Sequence, residues 1–144
     1  MTLIQLIDQL KTLAQSHPMI RTFGEGDIYD YVDNGGEINY PVLWVVQQNH
    51  TLSKNSITYQ LQLIYADLLL EDKSNRLQSQ SDQLQVAMDI LSKLKLDNTY
   101  TFSISDNVSI ETFQERFNDF ATGVSMTISF VNPYPFNYCT FPTT

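Results

Sequence analysis

The chain has 144 residues and a formal net charge of −8 at pH 7, with 8 basic residues against 16 acidic ones. This length fits one domain built around one hydrophobic core. Hydrophobic residues make up 42% of the chain and aromatic residues 12%, which excludes a disordered acidic tail. The excess of acidic residues argues against a protein that binds nucleic acid by neutralising phosphates.

No segment has the pattern of a membrane span or a signal peptide. The longest apolar runs, such as Leu68-Leu69-Leu70, are far shorter than the roughly 20 residues of a spanning helix. The first residues lack a basic start and carry Asp8 within their apolar stretch, so we expect no signal peptide. The single cysteine, Cys139, excludes a disulfide within the chain and fits either a reducing compartment or one whose redox state does not matter.

The first predicted element is a helix over residues 2–16. Thr2 and Gln5 have the spacing of a capping box at its start. Apolar side chains recur on one face after this box, at Leu3, Leu6, Ile7, Leu10, Leu13 and Ala14. The helix is predicted to end at His17, because the residue before a proline avoids the helical conformation.

Residues 19–48 are predicted to form strands and turns. Residues 27–32 are short and rich in residues that favour strands, and 33–36 read Asp-Asn-Gly-Gly, a strong hairpin-turn signal. Residues 40–48 contain a continuous apolar run that includes Trp44. Such a run is typical of a strand that is covered on both faces, or whose outer face contacts a partner.

The clearest strand alternates from Ile57 to Tyr65 and can extend to about residue 70. The polar loop 49–56 joins it to the preceding strand as a long hairpin. A second amphipathic helix is predicted over residues 75–95. Its expected buried face consists of Leu77, Leu84, Ala87, Met88, Leu91 and Leu94.

The last part of the chain is predicted to contain two more strands. Residues 100–104 and 123–131 alternate between apolar and polar side chains, whereas 108–120 fit either a helix or an irregular segment. The segment 132–144, rich in proline and aromatic residues, is expected to be an extended C-terminal tail. We therefore predict an α+β fold, with an antiparallel sheet and two amphipathic helices packed on one face. Residues 1–131 would form a single domain.

An acidic segment interrupts the first group of strands and is the main candidate for a charged site. It contains Glu25, Asp27, Asp30, Asp33 and Glu37. An EF-hand loop that began at Asp30 would place Val32 at a ligand position and Pro41 where a bidentate glutamate is needed, so that pattern fails. We expect a solvent-exposed acidic surface and predict no metal ligand; an opportunistic calcium or magnesium site is the open alternative.

Nothing in the sequence indicates catalysis. Cys139 could act as a nucleophile with His17 or His50, but no surrounding motif supports such a pair. No P-loop, dinucleotide-binding glycine pattern, nucleophile elbow or zinc-protease motif occurs. We therefore predict a protein that is not an enzyme, with no catalytic residues and no cofactor.

The aromatic residues of the tail indicate an interface. A platform for stacking bases would come with a basic groove, and only Arg116 is basic after Lys95. Packing against a protein surface is the better interpretation. The predicted interface residues are Trp44, Tyr134, Phe136 and Tyr138.

The order of these elements resembles a family of small phage proteins. The resemblance covers most of the chain and lies in the helix Leu3–Leu13, the run Pro41-Val42-Leu43-Trp44, the strand Ile57–Tyr65, the polar helix from Asn75-Arg76-Leu77 to Asp89-Ile90-Leu91, Arg116-Phe117-Asn118-Asp119, and the strand Gly123–Val131. In this layout the chain is similar to the tail terminator and tail completion (neck) proteins of tailed bacteriophages. The extended tail from Asn132 departs from the family's layout and would suit a related connector protein.

The resemblance implies a structural virion protein at the phage head–tail junction. Members of the family form rings, commonly hexamers, which cap the tail tube and join it to the head-side connector. The implied partners are copies of the chain itself, the tail-tube protein and the connector protein. DNA would pass through the ring without specific binding, and no membrane would be involved. The protein would act in the virion, and in the host cytoplasm during assembly.

Three further interpretations remain open beside the tail-terminator ring. The acidic segment would line the lumen or rim of a ring, where its charge would repel DNA phosphates. Outside the tail terminators, the chain could be another phage neck, connector or tail adaptor protein. It could also be a generic protein-binding adaptor module or, third, a small metal-dependent hydrolase.

Overall fold

The computed structural model describes residues 2–70, 72–96, 102–105, 107–114 and 121–134. Its elements, in chain order, are α1 (Leu3–Ser16), β1 (Thr22–Glu25), α2 (Ile28–Asp33), β2 (Val42–Gln47), β3 (Thr51–Leu52), β4 (Ser56–Leu68), α3 (Arg76–Leu96), β5 (Ser103–Ile104), β6 (Ser109–Gln114) and β7 (Ala121–Pro133). The fold is α+β, as predicted.

A seven-stranded sheet forms the centre of the molecule. Its strand order is β1-β2-β4-β7-β5, with β3 paired to β4 and β6 paired to β7. The two 13-residue strands β4 and β7 are paired along their whole length and form the middle of this sheet. All pairs are antiparallel except β1 and β2, which are parallel. The predicted antiparallel sheet is therefore confirmed except at this edge, where the connection through α2 is long enough to return β2 in the direction of β1.

The sheet is covered on both faces. Helices α1 and α3 pack on one face, as predicted, where alternate side chains of the central strands form the larger hydrophobic core. A smaller core lies on the opposite face, beneath α2 and the segment that follows it. It consists of Ile28, Tyr40, Val42, Trp44, Ile64, Ala66, Phe113 and Ala121. The apolar run of β2 is therefore explained by burial on both faces.

The predicted start of α1 is confirmed atom by atom. The Gln5 backbone N–H donates to Thr2 Oγ1 over 3.3 Å, and the Thr2 backbone N–H donates to Gln5 Oε1 over 2.8 Å. These two bonds form the capping box and satisfy backbone groups that the helix itself leaves unpaired. The helix ends at Ser16, with His17 in an extended conformation before Pro18.

Residues 28–33 form a helix, so the prediction of a strand over 27–32 was wrong. The Asp30 N–H donates to the Asp27 carboxylate over 3.3 Å, which caps the start of α2. Gly35 has a φ of +85°, and the Gly36 N–H donates to the Tyr31 carbonyl over 2.9 Å. This is a Schellman ending, in which Asn-Gly closes a helix instead of forming the hairpin turn that the sequence suggested.

Helix α3 matches its predicted range, and its predicted buried face is confirmed in part: Ala87 and Leu94 are buried, and Leu84 and Leu91 pack against the larger core. Leu77 is 71% exposed and Met88 is 42% exposed, although both were expected in the core. The buried residues are Ser79, Gln80, Gln83, Val86, Ala87, Ile90 and Leu94. The first half of the helix thus packs on the sheet through polar side chains, which a search for apolar periodicity does not detect.

The structure defines the conformation of part of the range 108–120, which the sequence left ambiguous. Within the ambiguous range 108–120, residues 109–114 form strand β6, and residues 115–120 lie outside the described part. Strand β7 continues to Pro133, two residues beyond the strand end predicted at 131. Of the predicted tail, only residues 132–134 are described.

Candidate functional site

The predicted acidic segment folds around helix α2. Glu25 ends β1, Asp27 caps α2, Asp30 lies in its first turn, and Glu37 follows its Schellman ending. All four side chains are exposed. Asp33 is the last residue of α2, and its side chain lies outside the described part of the structure. The segment therefore presents at least four carboxylates to solvent, as the sequence predicts.

Local hydrogen bonds account for several groups of this segment. Glu25 Oε1 accepts from Gln47 Nε2 over 3.0 Å, and the Glu37 carbonyl accepts from the Tyr31 hydroxyl over 2.9 Å. Among the described residues, no group of three or more histidine, cysteine, aspartate or glutamate side chains is placed to hold a metal ion. In this geometry the described carboxylates contribute charge to a surface instead of converging on one point.

Trp44 contacts the acidic segment through a hydrogen bond and an aromatic contact. Its indole Nε1–H donates to the Gly26 carbonyl over 2.9 Å, and its ring centroid lies 5.1 Å from that of Tyr31 in α2. Gly24 is paired with Trp44 in the parallel pair of strands, and a Cβ at this position would clash with the indole ring. Trp44 is only 3% exposed, so in this conformation its ring contacts its own chain.

The other predicted interface residues lie elsewhere. Tyr134 is 51% exposed, and its backbone N–H donates to the Asn55 carbonyl over 2.8 Å at the far end of β4. Trp44 is paired with Ile64, eight residues along β4 from Ser56, which corresponds to roughly 26 Å along the strand. The structure therefore does not bring Trp44 and Tyr134 together. Phe136 and Tyr138 lie outside the described residues.

Three exposed leucines flank the connection between β4 and α3, and their exposure was not predicted from the sequence. Leu68, Leu70 and Leu77 are 51%, 55% and 71% exposed. We call them the leucine patch. Asn75 holds this connection in place: its Nδ2 donates to the Leu68 carbonyl over 3.1 Å, and its Oδ1 accepts from the Leu70 N–H over 2.8 Å. The patch is therefore presented on a hydrogen-bonded turn.

The strand β6 is a second exposed feature. In the described part of the chain it pairs only with β7, and its residues 109–112 are exposed. Edge strands with exposed side chains offer backbone groups to a further strand. At the inner end of β6, the Phe113 carbonyl accepts from Gln80 Nε2 over 3.2 Å and from Thr122 Oγ1 over 2.8 Å. These bonds tie α3, β6 and β7 together.

A side-chain hydrogen bond joins the residue that follows α1 to α3. His17 Nε2 lies 3.1 Å from the carboxylate of Asp89, and the Met19 N–H donates to His17 Nδ1 over 3.1 Å. The neutral imidazole with its proton on Nε2 satisfies both contacts. The hydrogen bond from His17, assisted by one from Gln85, lowers the pKa of the Asp89 carboxyl below its ordinary value.

Two surface pockets lie on either side of Arg21. The larger, of about 330 Å³, is lined by Pro18, Met19, Arg21, Tyr40, Pro41 and Asp67. The smaller, of about 160 Å³, is lined by Ala14, Gln15, Ile20, Arg21, Thr22 and Phe23. Neither of these two linings contains a histidine or a cysteine, so neither supplies a nucleophile paired with an imidazole base.

No protein-family model and no curated protein sequence matches this chain. Within the described residues, no helix combines the length and the apolar character needed to cross a membrane. The site is therefore interpreted from its own geometry: an exposed acidic segment, a leucine patch and an exposed strand.

Proposed function

We propose that this chain is a structural assembly protein that forms a ring of identical subunits at the head–tail junction of a tailed bacteriophage. In this role it caps the tail tube, joins it to the head-side connector, and acts in the virion. The leucine patch carries the proposal. Exposed apolar side chains that cluster on an ordered turn are typical of protein–protein contacts, because their burial gains free energy with little ordering cost.

The geometry of the sheet supports a contact between unlike surfaces. The sheet has different edges, β1 on one side and β5 with β6 on the other. A subunit that joins its neighbour through two different surfaces generates a closed ring or an open filament, whereas self-complementary patches generate dimers. The exposed strand β6 could add to the partner's sheet, and the leucine patch could be buried beside it.

The acidic segment supports a position close to DNA. The carboxylates of Glu25, Asp27, Asp30 and Glu37 are exposed on a chain whose net charge is −8. A ring with these groups at its lumen or rim presents a negative surface that repels phosphates, so that DNA can pass without adhering.

Native mass spectrometry and negative-stain electron microscopy test this proposal. We expect the wild-type protein at high concentration to contain ring-shaped oligomers, and Leu77→Asp to dissociate them into folded monomers. Leu52→Asp is the matched control, because Leu52 is 62% exposed in β3 and outside the leucine patch. A wild-type protein that stays monomeric at high concentration and in the presence of tail tubes contradicts the proposal. Rings that survive Leu77→Asp contradict the role of the patch.

A generic adaptor is the second candidate, favoured by the exposed strand β6. An adaptor would be a monomer that binds an extended segment of another protein by adding it beside this strand. Ile110→Pro would then abolish binding of the partner, because proline cannot donate a hydrogen bond within a sheet. The mass measurement separates the two candidates, since only the assembly protein forms rings of identical subunits.

A further inference from the structure

The interface between α3 and the sheet contains buried polar atoms that lack a partner. Gln83 is 1% exposed, and neither its side-chain Nε2 nor its Oε1 has a hydrogen-bond partner among the described residues. The same is true of the hydroxyl of Tyr65, whose side chain is fully buried in the larger core. Burial also raises the pKa of the Tyr65 phenol, so this group stays protonated and able to donate.

The register of the sheet indicates that Gln83 of α3 lies close to Tyr65 of β4. Gln80 of α3 donates to Thr122 Oγ1, and Thr122 is paired with Asp67 of β4. The next pair on that face of the sheet is Tyr65 with Val124. Gln83 follows Gln80 by roughly one helical turn, about 4.5 Å along the axis. Because α3 packs on this face of the sheet and starts near the end of β4, we infer that this turn lies above the Tyr65–Val124 pair.

Hydrogen-bonding capacity argues that these atoms share a partner. An amide and a phenol left unpaired in an apolar core lose their hydration without compensation, which is unfavourable for each atom. An amide offers two donors and one acceptor oxygen, and a phenol offers one donor and an acceptor. A buried water molecule usually makes about three hydrogen bonds to such groups. A direct amide–phenol bond would satisfy only one group of each side chain.

We propose that Gln83 and the Tyr65 hydroxyl form an internal hydration site that binds one or two water molecules between α3 and the sheet. The site occupies the polar half of the helix interface, whereas Val86, Ile90 and Leu94 make the other half apolar. Gln80 lies beside it but is satisfied by the Phe113 carbonyl and Thr122 Oγ1. The proposal is independent of the assembly function.

The direct test is nuclear magnetic resonance on the isotope-labelled full chain. Long-lived water should give cross-relaxation peaks to the Gln83 side-chain amide protons and to protons of the Tyr65 ring. Peaks to both side chains support the shared site. The absence of peaks to either one overturns it. This measurement uses the wild-type protein and does not depend on whether a variant folds.

A double-mutant cycle tests the coupling between the two side chains. Gln83→Leu, Tyr65→Phe and the double variant remove the polar atoms while keeping side chains of similar volume. If one hydration site serves both groups, the change in the folding equilibrium constant caused by the second substitution should differ at least about threefold from its change in the wild-type background. Additive effects overturn the shared site. Gln80→Leu is the matched control and should show no coupling with Tyr65→Phe.

Discussion

Gly24→Ala should destabilise the protein through one identifiable clash. Gly24 is paired with Trp44 in the parallel strand pair, where an added Cβ would clash with three atoms of the indole ring. The ring is 3% exposed and packed beneath Tyr31. It can avoid the methyl group only by rotating, which breaks its hydrogen bond to the Gly26 carbonyl.

Three contributions set the size of the effect. Overpacking of a buried site costs about 1–3 kcal/mol. Loss of the hydrogen bond to the Gly26 carbonyl adds about 1 kcal/mol. Because alanine lowers the conformational entropy of the unfolded chain relative to glycine, it offsets this loss by about 0.4–1 kcal/mol. The net loss in free energy of unfolding is about 1–3 kcal/mol, which corresponds to roughly 3–10 °C in Tm for a chain of this size.

Denaturant unfolding provides the assay. Trp44 is the only tryptophan of the chain, so its fluorescence reports directly on this packing. The control is Gly24→Ala in a Trp44→Leu background, followed by far-ultraviolet circular dichroism. There the ring is gone, and the alanine should cost less than about 0.5 kcal/mol or stabilise slightly. An equal cost in both backgrounds would refute the clash, and so would a wild-type background that tolerates the alanine.

Three further predictions concern single hydrogen-bonded groups. Asp89→Asn should lower stability by no more than about 1 kcal/mol, because the Asp89 side chain that binds His17 is 47% exposed to solvent. Because the pKa of the Asp89 carboxyl is lowered in the folded state, this loss should be complete above the ordinary pKa of aspartate and should fade as the pH falls through the folded-state pKa. Unfolding curves measured at a series of acidic pH values test this, and a loss that grows toward low pH would contradict it. Gln80→Met should cost about 0.5–1.5 kcal/mol in chemical unfolding, because the Phe113 carbonyl loses one of its two donors and keeps the one from Thr122; an unchanged midpoint would show that this bond is dispensable. Thr2→Ala should cost about 0.5–2 kcal/mol by removing the capping box, measured as Tm, and no change would mean that the box is not formed in solution.

The elements with a strong local pattern could be predicted from the sequence. The capping box and the apolar face of residues 2–16 predict helix α1. The alternation of residues 57–65 predicts most of β4. Both patterns come from burial on one face, which produces a regular period. The α+β class follows from the order of such elements.

Helix α2 and the buried face of α3 could not be read in this way. The Asn-Gly pair at residues 34–35 suits both a hairpin turn and a helix ending, and only the surrounding chain selects the second. In α3, Gln80 is buried because it donates hydrogen bonds to the Phe113 carbonyl and Thr122. Gln83 is also buried, at the position that we propose binds water. Hydrophobic periodicity assigns those positions to solvent and places Leu77 in the core instead.

In the candidate site, too, some features could be predicted from the sequence and others could not. Exposure of the acidic segment was predictable, because clustered carboxylates in a turn-rich region are expected to stay hydrated. The position of Trp44 beneath that segment was not, since it depends on the parallel pairing of β1 with β2. The leucine patch was visible only as an apolar run in the sequence, and its exposure follows from where β4 ends and from the hydrogen bonds of Asn75.

The arrangement of these surfaces restricts how a ring could be built. Helix α2 and its carboxylates cover the face of the sheet opposite to α1 and α3, because Ile28 and Trp44 belong to the smaller core. Leu77, by contrast, lies on α3. A contact centred on Leu77 should therefore leave α2 uncovered and keep the carboxylates of neighbouring subunits out of the interface, where like charges would be desolvated and repel. If the contact instead buried α2, assembly would strengthen sharply with added salt. A weak salt dependence of ring formation is what the leucine-patch contact requires.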